Sequence, residues 1–77
     1  EIMEIVASNN MQLTNVPLHQ LDLPDGVLIA AIHRGQNIII PDGNTIILED
    51  DRVTIFCLLK DIAELEGLFK NKRGFHL

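Results

Sequence analysis

Aromatic rings are nearly missing from this chain. It has no Trp and no Tyr, and its 3 Phe make up the whole 4% aromatic share, although 47% of the 77 residues are hydrophobic. A core built from it is therefore aliphatic, carried by Ile, Leu and Val, and nothing resembles a stacking platform for nucleic-acid bases. Basic charge is also scarce: 6 Lys and Arg stand against 11 Asp and Glu, for a net charge of −5. That balance argues against a phosphate-backbone partner. The basic residues gather at the end, where Lys70, Lys72 and Arg73 follow the last apolar residues, and a solvated tail explains them better than a lipid-headgroup contact. The one cysteine, Cys57, sits inside an apolar run, so no intrachain disulfide can form. A reduced compartment and a buried structural thiol follow. No uninterrupted apolar stretch approaches the roughly 20 residues that a spanning helix needs, and no signal sequence opens the chain. Any connection to a membrane is expected to run through another domain or subunit. The chain opens on Glu1 with no Met or leader, so a segment cut from a longer protein is expected.

What the chain does have is a pair of Ile- and Val-rich runs. From Val27 to Asn44 it reads VLIAAIHRGQNIIIPDGN: an apolar run, a break at His33-Arg34-Gly35-Gln36-Asn37, a second run ending at Pro41, and a turn at Asp42-Gly43-Asn44. A β-hairpin fits better than a helix, because β-branched side chains lose little on a pleated surface and Gly35 can take positive φ. Neither run alternates polar with apolar, so both faces of the hairpin are expected to be covered, by the rest of the domain or by another chain. A chain this short lies near the lower limit for a core without disulfides or a partner, which makes association an expectation.

The remaining segments fall around that hairpin. Ile2 to Ala7 reads as a first strand, and Ser8-Asn9-Asn10 as a loop. A short helix is expected from Thr14 to Leu21, capped by Asn15, with Pro17 in its first turn. Pro24 ends it, and Asp25-Gly26 turns into the hairpin. Thr45 to Leu48 reads as a short strand and Glu49-Asp50-Asp51 as a turn. Arg52 to Leu59 is the longest strand candidate and a central one, with Val53, Ile55, Cys57 and Leu59 on one face and Thr54, Phe56 and Leu58 on the other. The closing helix starts at Asp61, with Glu64 completing a capping-box-like pair, and lines up Ile62, Leu65, Leu68 and Phe69. Asp61→Ala is accordingly expected to cost about 0.5 to 2 kcal/mol through the lost cap. Gly67 weakens this helix, and fraying is expected beyond Asn71.

No catalytic constellation emerges. His19, His33 and His76 lie on the first helix, the hairpin bend and the terminal tail, without metal-ligand spacing. Glu49-Asp50-Asp51 and Asp42-Gly43-Asn44 lack the spacing of a calcium loop and read as polar turns. There is no glycine-rich phosphate loop with a lysine, and no Ser/His/Asp or Cys/His arrangement.

The ordered series LDLPDGVLIAAIHRGQNIIIPDGNTIILEDDRVTIF resembles the C-terminal regulatory domain of RCK or Trk-type potassium transport regulators, the TrkA C-terminal domain family. The likeness runs through Leu21 to Pro24, Val27 to Gly35, Ile38 to Gly43, Thr45 to Leu48 and Asp51 to Phe56, and the ending DIAELEGLFK matches the family's closing helix. It departs at Asp50-Asp51, where the family commonly has Gly-Asp, and at Asn15-Val16-Pro17, where a Gly-Lys pair often opens the first helix.

The resemblance implies an α+β fold: residues 1–77 as a single small domain, a mixed β-sheet with two helices, paired as a dimer. It implies a regulatory module that is not an enzyme and needs no cofactor. Such a module is cytoplasmic and meets the inner membrane only through a membrane potassium transporter or channel subunit. Some members of the family bind a small anionic effector, including cyclic di-AMP, at the dimer seam. On that analogy Leu28, Ile29, Arg34 and Pro41 are the candidate ligand-binding residues, with Arg34 supplying the charge as the only basic residue from Glu1 to Pro41. Arg34→Ala is then expected to weaken binding of such a ligand about tenfold or more while leaving the melting temperature of the free domain almost unchanged. Cyclic dinucleotide binders also tend to carry an arginine and a polar side chain where this chain has Pro24 and Val27. The alternative is a purely structural pairing module attached to another transporter or a transcription regulator. A GxGxxG nucleotide fold upstream of Glu1 would favour the regulatory reading.

Overall fold

The computed structural model describes residues 1–71. The expectations for Lys72, Arg73 and His76, and for fraying beyond Asn71, lie outside the described residues. The element order is β1 (Ile2–Val6), a 3-10 turn (Leu18–Gln20), β2 (Val27–Arg34), β3 (Asn37–Ile39), β4 (Arg52–Cys57), a second 3-10 turn (Leu59–Asp61) and α1 (Ile62–Gly67). The four strands form one sheet in the order β1-β4-β2-β3, and every pairing between them is antiparallel. The α+β class holds, but among the described residues the expected mixed sheet with two helices becomes an antiparallel sheet with one six-residue helix.

β4 is central because both of its edges are paired, while one of its faces supplies the core. Val53, Ile55 and Cys57 alternate into the core, while Ile2 to Val6 pair along one edge and Val27 to His33 along the other. The strand stops at Cys57 rather than Leu59, and β2 with 8 residues is longer than β4 with 6. Leu59 falls in the 3-10 turn and is exposed.

The hairpin forms as expected, and Gly35 at its bend has φ 60. The missing alternation in β2 has a different cause from the one expected. The register against β4 shifts between Ile29 and Ala31, and this bulge turns both Ile29 and Ile32 into the core although they are three positions apart. Leu28 and Ile38 then lie on the opposite face, which no described part of the chain covers.

The core lies between the other face of the sheet and a layer of irregular chain. Ala7, Leu13, Ile47 and Leu65 close over Ile29, Ile32, Val53 and Ile55. The helix expected from Thr14 to Leu21 does not form, because its backbone is engaged elsewhere. Asn15 is left-handed with φ 67, its N–H donates to Ile47 O, and the Leu18 N–H donates to Thr45 O. Only Leu18–Gln20 turns, and Asn15 caps nothing. A single turn between two prolines is too short to repay helix nucleation. The partner segment is correspondingly no strand. Ile47 bridges Thr14 and Ile46 bridges Pro17, one in parallel and one in antiparallel sense, so no ladder builds. The turn before it is held by Asp42, whose Oδ1 accepts the Asn44 N–H at 2.8 Å.

α1 runs for 6 residues and gives way at Gly67 to tighter turns, in which the Leu68 N–H donates to Leu65 O. Asp61 precedes it but makes no side-chain cap bond. Its Oδ2 accepts the Gly26 N–H at 3.0 Å instead, tying the start of the helix to the turn before β2. A Cβ at Gly26 would collide with Asp61 Oδ2 and Leu58, so a larger residue there displaces the carboxylate that holds this turn.

Candidate functional site

Two places on this fold combine exposure with organised chemistry, and they lie at opposite ends of β2. At its C-terminal end, Arg34 is the last residue of the strand and shares the core side of the sheet with Ile32. Its guanidinium is gripped by a carboxylate from the Glu49-Asp50-Asp51 turn. Nε donates to Asp51 Oδ1 at 2.9 Å, and Nη2 donates to Asp51 Oδ2 at 2.8 Å and to Ile46 O at 2.9 Å. Asp51 is 1% exposed and also accepts the Leu48 N–H at 2.9 Å. Burial pushes the Asp51 carboxyl up. The hydrogen bonds from Arg34 and Leu48 and the guanidinium's charge outweigh that effect and hold its pKa below the usual carboxylate value. In turn the bond to Asp51 raises the Arg34 pKa, against the lowering by burial.

The clamp explains why the chain turns where it does. Asp51 faces inward only because Asp50 takes the left-handed conformation, φ 72, just before it. Glycine adopts that conformation most readily, so Asp50 holds it at a small cost in strain. The expectation that Arg34→Ala leaves the melting temperature almost unchanged is therefore corrected: Arg34 neutralises a buried charge.

At the other end of β2, the uncovered face carries a row of apolar side chains. Ile2, Phe56 and Leu28 stand side by side across three strands, 71%, 43% and 59% exposed. With Val27 and Leu58 they line an open groove of about 540 Å³, whose rim includes Glu1 and Asp25. Glu4, Val6 and Arg52 continue the same face toward the far end of the sheet.

The four residues expected to bind ligand are not gathered within one chain. Leu28 lies in the groove, and Ile29 is buried on the opposite side of the sheet. Arg34 is about 20 Å from Leu28 along the strand. Pro41 is half-buried beyond β3. Sequence reasoning missed Asp51, one of three consecutive acids with nothing in its composition to mark it, and Phe56, whose exposure follows only from the uncovered face. Among the described residues no group of His, Cys, Asp and Glu is placed to hold a metal ion. No helix among them is long and apolar enough to cross a membrane.

Comparison with known proteins agrees with this architecture. The model of the TrkA-C domain family matches residues 2–70. The chain is 40% identical over 70 residues to the Trk system potassium uptake protein TrkA homolog 1 of Methanosarcina mazei, a match covering 91% of this chain and 16% of that protein. It is 36% identical over 79 residues to the Trk system potassium uptake protein TrkA of Haemophilus influenzae, covering 97% of this chain and 17% of that one. The chain thus spans a small part of the relatives it matches. Among solved structures, an RCK domain with cda superposes with a TM-score of 0.72 at 22% identity, over 90% of this chain and 97% of that one. That likeness concerns the fold, whereas the family match runs through the strands, the bend at Gly35 and the turn at Asp51, so the chain belongs to the TrkA-C domain family.

Proposed function

We propose that residues 1–77 act as a single regulatory domain of a potassium uptake system: a dimerising, ligand-sensing module without catalytic activity that acts on a membrane cation transporter from the cytoplasmic side. The observation that carries this reading is the family match together with relatives that are Trk system potassium uptake proteins. The effector is a small anion held by Arg34 at the hairpin end, with Pro41 near by in sequence. Cyclic di-AMP is the first ligand to test, in line with an RCK domain solved with cda. Isothermal titration of the 77-residue chain with cyclic di-AMP and with adenine nucleotides tests it. Binding by the native chain that falls tenfold or more in Arg34→Met supports the assignment, and no heat with any of these ligands refutes it.

The dimer surface is the uncovered sheet face. Its apolar row is too exposed to be without consequence, and Glu4 and Arg52 both lie on it. A two-fold axis between those two residues sets the carboxylate of each copy against the guanidinium of the other, which is the self-complementarity that an isologous interface requires. Sedimentation of the native chain at micromolar concentration is expected to give a dimer, and Phe56→Glu a monomer. A native monomer at high concentration overturns this assignment. The uncovered face also favours a second reading, a structural pairing module with no effector. Dimerisation without any ligand binding would select it.

A further inference from the structure

Arg34 offers a ligand less than its whole guanidinium. Nε and Nη2 are engaged by Asp51 and by Ile46 O, while Nη1 makes no hydrogen bond to the described residues. The side chain is nevertheless 38% exposed, against 2% for Asp51. A buried carboxylate thus fixes the plane of a half-exposed cation and leaves one edge of the fork unspent.

We infer that Asp51 is the positioning residue of the Arg34 anion site, and that through it occupancy of the site is coupled to the loop 46–51 and the segment 14–18. This rests on the reading of Arg34 as the effector's cationic partner. An arginine on a strand end has several rotatable bonds to immobilise when it binds; donating two parallel hydrogen bonds to one carboxylate removes most of that freedom beforehand. Asp51 can do so because it is itself held, by the Leu48 N–H and by its own backbone, whose carbonyl accepts the Ala7 N–H at 2.8 Å.

The same atoms lead into the rest of the fold. The Ile46 carbonyl that Arg34 holds belongs to the residue that bridges Pro17. Ile47 beside it bridges Thr14 and accepts the Asn15 N–H at 2.8 Å. Asp50 donates its N–H to Ala7 O at 2.8 Å, so the loop is joined to the end of β1 as well. An anion on Nη1 holds the side chain in place, and because Nη2 is bonded to Ile46 O and Asp51 Oδ2, a fixed guanidinium restricts the opening of the loop. The carboxylate's own negative charge opposes an incoming anion. The positioning account therefore differs in sign from a purely Coulombic one, in which removing Asp51's charge tightens binding.

The experiment is titration of the native chain, Arg34→Met and Asp51→Asn with cyclic di-AMP at two salt concentrations, together with amide hydrogen exchange on the native chain with and without that ligand. Affinity is expected to fall about tenfold in Asp51→Asn, and the Leu48, Asn15 and Leu18 amides of the native chain are expected to exchange more slowly when ligand is bound. Loss of binding in Arg34→Met with unchanged or tighter binding in Asp51→Asn overturns the inference and leaves the effector reading intact. No binding by the native chain overturns both. Should Asp51→Asn fail to fold, the exchange measurement decides alone: protection confined to residues around Arg34, with none at Asn15 and Leu18, overturns the coupling.

Discussion

Replacing Arg34 by Met keeps the apolar stem and deletes the charge, which isolates what the guanidinium does for stability. The side chain left behind is Asp51, 2% exposed, which loses both bonds from Arg34 and retains only the one from the Leu48 N–H. Breaking a buried ion pair by removing one partner costs about 3 to 5 kcal/mol. The cost has a ceiling, because the stranded carboxyl can take up a proton. Moving a pKa from the ordinary carboxylate value to neutrality costs roughly 4 kcal/mol, beyond which the neutral acid takes over. A loss of about 3 to 4 kcal/mol at pH 7 follows. Asp51→Asn leaves Arg34 free to turn to solvent and costs about 1 to 2 kcal/mol. The double variant should be hardly less stable than Asp51→Asn alone, since the buried charge is gone. In the native chain the Asp51 pKa is lowered, so its stabilising contribution is complete above the ordinary value of 3.8 and disappears as pH falls through the lowered one. In Arg34→Met, burial is opposed only by the Leu48 bond and the pKa rises, so the penalty present at pH 7 fades as the pH falls toward 4. The gap between native and variant urea midpoints should therefore be widest at neutral pH and narrow on acidification. A gap below about 0.5 kcal/mol at pH 7, or one as large at pH 4.5 as at pH 7, refutes the reasoning.

Asp61→Ala should lower stability by about 1 to 3 kcal/mol because the Gly26 N–H loses its acceptor, while NMR shifts still mark Ile62–Gly67 as helical; a melted helix would restore the capping role instead. Asp50→Gly should stabilise by roughly 0.5 to 1 kcal/mol, since φ 72 costs glycine nothing, and a lower thermal midpoint would contradict that. Leu65→Ala should cost about 2 to 5 kcal/mol, because this fully buried side chain is the part of α1 that enters the core. A change in urea midpoint worth less than 1 kcal/mol would mean that the helix is not needed to close the sheet.

The strands were legible in the sequence because their signals are local. Alternation in Val53, Ile55 and Cys57 marked the central strand, and Gly35 between two β-branched runs marked the hairpin. The errors came where backbone groups are satisfied at long range. Nothing near Thr14 says that its neighbours donate to Ile47 and Thr45, so a proline and an asparagine in a plausible order suggested a helix. The same holds for Asp61, whose place before an apolar stripe fits a cap although its carboxylate reaches Gly26 across the fold. At the candidate site the arginine was visible as a solitary cation, but its partner was not. Which of Glu49, Asp50 and Asp51 turns inward is decided by a single left-handed residue.

The order β1-β4-β2-β3 also has a consequence for how the chain is made. Of the four strands β1 leaves the ribosome first, and its sheet neighbour β4 follows only after the hairpin and the whole loop region have been synthesised. Until then β1 has no strand to pair with and β2 has only the short β3, an arrangement that is at best marginally stable in water. The arrival of β4 completes both pairings together, so the sheet can form only once β4 has been made.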